Sequence, residues 1–221
     1  MSKKMAIRLR KFGRLCPITG YKEESIKVGS PVIVQTDRGT EFGVIVEYEK
    51  GLPRRIARDV RLKKVARYAT KEDIASESGL LPKEEEARKI ASKKYAEYDL
   101  PIKSVNAEYI FDRNRVVLYY KLESGGKNPN LKDVKSELAR MLNAKVDMRQ
   151  VNPRDEAMMH GGLGLCGRPL CCASWLEKPR HVTVKKVKQQ GLQISPTKTS
   201  GVCGRLMCCL EYEWEEKGKK Q

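Results

Sequence analysis

The stretch SVNAEYIFDRNRVVLYYKL, residues 104–122, decides how the middle of the chain folds. Runs rich in Val, Ile and Tyr flank FDRNR, so the stretch reads as a β-hairpin with Asp112–Asn114 at its tip. Upstream, PKEEEARKIASKKYAEY (82–98) places Ala87, Ile90, Ala91 and Tyr95 on one side at helical spacing. Pro82 suits its first turn, where Glu84–Glu86 complement the helix dipole. Downstream, LKDVKSELARMLNAK (131–145) is a second amphipathic helix and KVDMRQV (145–151) a closing strand. Helix–strand–strand–helix–strand makes an α+β sandwich, with two helices covering one face of an antiparallel sheet.

Towards the start, MAIRLRK (5–11), SPVIVQT (30–36), TEFGVIVEYEK (40–50) and DVRLKKVARYA (59–69) read as strands, with a tight turn at 37–39. They imply a basic antiparallel sheet or half-open barrel over residues 1–69. The sandwich occupies 70–151, and a Gly-, Cys- and Met-rich segment occupies 152–214, followed by a frayed tail at 215–221. That third segment has little to bury, so something other than a core must hold it.

Of 221 residues, 33% are charged and 40% hydrophobic, with three Phe and two Trp. No apolar run is long enough for a membrane span. The basic start lacks a secretory apolar segment. These features place the chain in the cytoplasm, where cysteines stay reduced and serve as metal ligands or redox thiols rather than disulfides. The net charge of +17 is uneven: +10 over residues 1–69, +2 over 70–150 and +5 over 151–221. Such a surplus attracts polyanions, and the basic N-terminal domain is the expected RNA or DNA contact.

Six of the seven cysteines lie in two copies of one phrase, GLCGRPLCC (164–172) and GVCGRLMCC (201–209). Both read G-x-C-G-R-x-x-C-C. The thiols are Cys166, Cys171 and Cys172, then Cys203, Cys208 and Cys209. Residues five apart sit about 140° apart on a helix, so the first and second thiols of a copy cannot share a helical face. Gly167 and Gly204 free the backbone to turn, which puts Cys166 on a loop and Cys171 at or in a short helix. Adjacent thiols point apart and serve two sites, or one site and the packing. C-x₂₋₄-C zinc pairing fits loosely, C-x-x-C redox chemistry is absent, and an iron–sulfur cluster tolerates the varied spacing. Glycine N–H groups and the cations Arg168 and Arg205 would stabilise an anionic cluster. Six inert, buried thiols are the bland alternative. A missing ligand would come from His160, His181, Cys16, a partner or a second copy.

Four pieces resemble the RicT family, also called YaaT: GTEFGVIVEYEK, FDRNRVVLYY, MRQVNPRDEAMMHGGLGLCGRPLCC and SPTKTSGVCGRLMCCLEYE. The resemblance implies a non-enzymatic regulator that works with two small helical proteins, RicA and RicF. It implies one or two 4Fe-4S clusters rather than zinc, with the six cysteines as ligands. It also implies association with the endoribonuclease RNase Y, messenger RNA maturation and effects on sporulation. The residues themselves also allow a zinc-stapled nucleic-acid-binding protein. Catalysis is not expected: there is no Gly-rich phosphate loop and no HExxH, and the adjacent Asp155 and Glu156 suit a turn or an ion pair to Arg154 or Arg149.

Overall fold

A computed structural model of the chain describes residues 4–9, 15–18, 27–48, 62–123, 129–176 and 181–218. The chain forms two compact units, residues 1–151 and 152–221. It is an α+β protein. None of the described helices is long and apolar enough to cross a membrane.

The first unit contains two sheets. Strands β1 (Lys4–Leu9), β2 (Leu15–Pro17), β3 (Pro31–Thr36), β4 (Thr40–Tyr48) and β5 (Leu62–Tyr68) form an antiparallel sheet in the order β2-β1-β4-β3-β5. It stays open, with β2 and β5 as its edges among the described residues. Alternation buries Ile7, Leu9, Val32, Val34 and Ile45 together with Cys16. Gly43 lies where β4 meets β1 so closely that a Cβ would sit 2.4 Å from Ile7 Cγ2 and 3.1 Å from Arg8 O. Gly43→Ala is therefore expected to cost about 1–3 kcal/mol by overpacking. The check is thermal melting, which should drop by roughly 2–4 °C per kcal/mol; an unchanged midpoint would show that β1 yields freely.

The second sheet holds β6 (Ile102–Tyr109), β7 (Arg115–Leu122) and β8 (Lys145–Gln150). The hairpin of β6 and β7 forms as expected, and Arg113 takes φ +60 in its turn. Strand β8 corrects the all-antiparallel expectation: it runs parallel to β7. Between them lies α3 (Lys132–Leu142), a crossover that returns the chain to the end of the sheet where β7 began. Helix α1 (Lys71–Ser78), which no apolar stripe announces, precedes α2 (Leu80–Glu97). Ala87, Ala91 and Tyr95 of α2 and Val134 and Leu138 of α3 bury against Val116, Leu118, Tyr120 and Val146. Glu84, expected only to complement the dipole of α2, is buried and accepts the Tyr109 N–H at 2.8 Å.

The alternate residues of β7, Val117 and Tyr119, are buried as well. The β3–β4 turn reaches this region. Asp112 accepts from Thr40 N–H at 3.3 Å, and Phe42 lies 6.2 Å from Phe111 between ring centroids. Arg38 makes a forked pair with Glu41 at 3.1 and 2.7 Å, and Thr36 Oγ1 donates to the same carboxylate at 2.7 Å. The Tyr119 hydroxyl donates to Glu108 at 2.6 Å, and the charge of Arg38 acts on both of those groups.

The second unit contains α4 (Pro153–His160), α5 (Val184–Gln189), α6 (Pro196–Thr199) and α7 (Cys208–Gly218). The expected frayed tail at 215–221 begins within α7, which runs through Gly218. Residues 219–221 lie outside the described residues. Among the described residues, an apolar cluster of the second unit holds Val182, Val187 and Leu210, with Leu206 and Met207 against them.

Candidate metal centre

The two cysteine phrases fold into the same device. In the first, Gly164 N–H donates to Arg168 O at 2.8 Å, Gly167 N–H to Gly164 O at 2.9 Å and Leu170 N–H to Gly162 O at 3.1 Å. In the second, Gly201 donates to Arg205 O at 2.8 Å, Gly204 to Gly201 O at 2.9 Å and Met207 to Thr199 O at 2.9 Å. Bridges Leu163–Pro169 and Ser200–Leu206 close the two turns. Gly167 and Gly204 adopt φ +75 and +71, a conformation that glycine reaches without a Cβ penalty. Each copy thus holds its first cysteine on a tight turn and presents its paired cysteines at the start of a turn or helix, Cys171 and Cys208 respectively.

All six thiol-bearing residues line one open hollow of about 550 Å³, part of it solvent, together with Leu165, Val202 and Met207. Cys172 is buried, Cys166 is exposed, and Cys171, Cys203, Cys208 and Cys209 lie between. Cys208 lies within electrostatic reach of Cys172, Cys203 and Cys171, and Cys209 within reach of Cys171. Shifting by 37 residues maps the Cys208–Cys172 approach onto Cys171–Cys209. Trp175 and Tyr212, also equivalent under that shift, meet edge to face at 4.7 Å. The copies are therefore related by an approximate two-fold, as in an isologous interface.

Residues 63–151 match the PSP1 C-terminal conserved region, and residues 181–217 match the PSP1-like protein, third domain. Stage 0 sporulation protein YaaT of Bacillus subtilis (strain 168) is 36% identical over 198 residues, which cover 86% of this chain and 68% of that protein. The chain belongs to the YaaT family. No solved structure matches it.

In this YaaT-family chain Arg168 and Arg205 are exposed and are not among the residues that line the hollow. Gly167 and Gly204 shape the turns without lining it. His160 and His181 are exposed, and Cys16 lies in the core of the first unit. Asp155 accepts from the Asn152 amide at the start of α4. The residue that sequence reasoning passes over is Arg154, known there only as a salt-bridge candidate. Its Nη2 donates to Leu206 O at 3.3 Å inside the second phrase, and its charge acts on Cys208. Nothing local marks it, because its partners lie some 50 residues on.

Among the described residues, no three His, Cys, Asp or Glu side chains converge tightly enough for one metal ion. The donors lining the hollow are soft thiols, ligands that suit zinc as well as iron–sulfur clusters. Burial pushes the Cys208 thiol up to about 11; Arg154 opposes the shift, and Cys172, Cys203 and Cys171 add to it. Burial also raises Cys209. A raised thiol pKa means that the fold binds the proton more tightly than the unfolded chain does. The stability this gives the metal-free protein is fully present below the ordinary thiol value of 9.0 and is lost as pH climbs towards about 11. Denaturation of metal-free protein across pH 8–11 checks this; stability rising over that window would contradict it.

Proposed function

We propose that this chain is a non-enzymatic regulatory subunit whose cysteine hollow carries a 4Fe-4S cluster. In this reading it works in the cytoplasm with RicA-like and RicF-like helical proteins, in a complex that supports RNase Y-dependent maturation of messenger RNA and, through it, sporulation. The observation that carries the reading is the gathering of Cys166, Cys171, Cys172, Cys203, Cys208 and Cys209 around one hollow by two copies of one turn. Six thiols could serve zinc or an iron–sulfur cluster, and the family resemblance favours the cluster. The relative's name, a stage 0 sporulation protein, supports the developmental part. The basic N-terminal strands supply the surface for RNA, with Lys64 and Arg67 exposed on edge strand β5.

A cluster held here would link the two cysteine phrases. Its loss would then loosen the second unit, since binding and folding free energy are shared. That coupling converts iron or redox state into partner binding. Cys203→Ala tests it: the variant should purify colourless, melt lower and fail to retain RicA- and RicF-like partners. A variant that keeps colour, fold and partners would contradict the reading.

A further inference from the structure

On the side of the second phrase, the Arg154 guanidinium reaches from α4 to Leu206 O at 3.3 Å, two residues before Cys208. Its Nε is buried and has no hydrogen-bond partner among the described residues. Arg168 and Arg205, the cations that the phrases themselves provide, are both exposed, whereas Arg154 is partly buried. A partly buried guanidinium with an idle donor beside a cluster of thiols is costly unless negative charge arrives to meet it.

We propose that Arg154 is the positioning residue of the thiol hollow: from the Cys208 side it supplies the positive charge that retains a thiolate-ligated cluster. The inference rests on the cluster reading above. Thiolates bound to iron carry negative charge, and a fixed cation beside them stabilises that charge most in a setting with little water. The idle Nε–H is the donor free to face it. The bond to Leu206 O separately ties α4 to the second phrase, so a test must distinguish charge from tether. Lysine keeps the charge but lacks the planar fork.

The experiment compares full-length wild type, Arg154→Gln and Arg154→Lys after anaerobic reconstitution with iron and sulfide. Cluster content, the rate of iron release to a chelator and the reduction midpoint are read on the three proteins. Melting of the metal-free chains reports the fold. Glutamine should release iron about 10–100-fold faster than wild type, with its midpoint moved to a more negative value. Lysine should restore most of both, and the metal-free melts should stay close. Equal release and midpoint in all three proteins would overturn the inference while leaving the cluster reading intact. Equal losses in glutamine and lysine would also overturn it, leaving Arg154 a tether. A wild-type chain that takes up no iron and sulfide would overturn the cluster reading itself and this inference with it.

Discussion

Cys208→Ala is expected to leave the chain without a stable cluster, and Cys166→Ala is expected to do less. Cys208 opens α7, is half-buried, and lies within electrostatic reach of Cys171, Cys172 and Cys203 as well as Arg154. Cys166 is exposed on its turn. A ligand at the centre of the set has more thiol neighbours to leave unsatisfied than one at the rim. Loss of even an outer-shell partner commonly costs about 10–100-fold in metal affinity, so loss of a central ligand should exceed that. Iron and acid-labile sulfide per chain, read after identical reconstitution, check the order. Retention of a full cluster in Cys208→Ala, or a greater loss in Cys166→Ala, would contradict it.

The other large effect lies in the first unit. Arg38→Ala is expected to destabilise it by about 3–5 kcal/mol, because one partner of a buried ion pair is removed and the other stays. Arg38 and Glu41 are only 8% and 6% exposed, and their forked contact leaves little room for water to compensate. Thr36 Oγ1 would still donate to Glu41, but the carboxylate would lose its cation, and the Glu108–Tyr119 pair would lose a nearby positive charge. Arg38→Met with Glu41→Leu should recover much of the loss, since a buried pair replaced by apolar groups of similar size is often neutral. Denaturant unfolding of the single and double variants decides the matter. A single variant as stable as wild type would show that the pair contributes nothing to the fold.

The strands and the apolar face of α2 are legible in the sequence because alternation and helical spacing leave distinct marks: Val32 and Val34, or Ala87, Ala91 and Tyr95. Helix α1 escapes that reading because none of its residues is buried; it rests on a capping box between Thr70 and Asp73, a T-x-x-D signal present in the sequence. The parallel placement of β8 depends on how α3 crosses the sheet, which periodicity does not encode. In the second unit the repeated phrase announces a site, and the glycines announce its turns. The sequence does not reveal that the copies meet about a two-fold, since that rests on contacts such as Trp175–Tyr212 made 37 residues apart. Nor does it reveal Arg154, whose carbonyl partner is 52 residues distant.

The most direct test of a cluster-bearing regulator is anaerobic purification of the full chain, followed by an absorption spectrum and a count of iron, acid-labile sulfide and zinc per chain. The expected result is a brown protein with a broad band near about 400 nm, iron matching sulfide and no stoichiometric zinc. A colourless chain carrying stoichiometric zinc would contradict the account and point instead to a zinc-stapled nucleic-acid-binding protein.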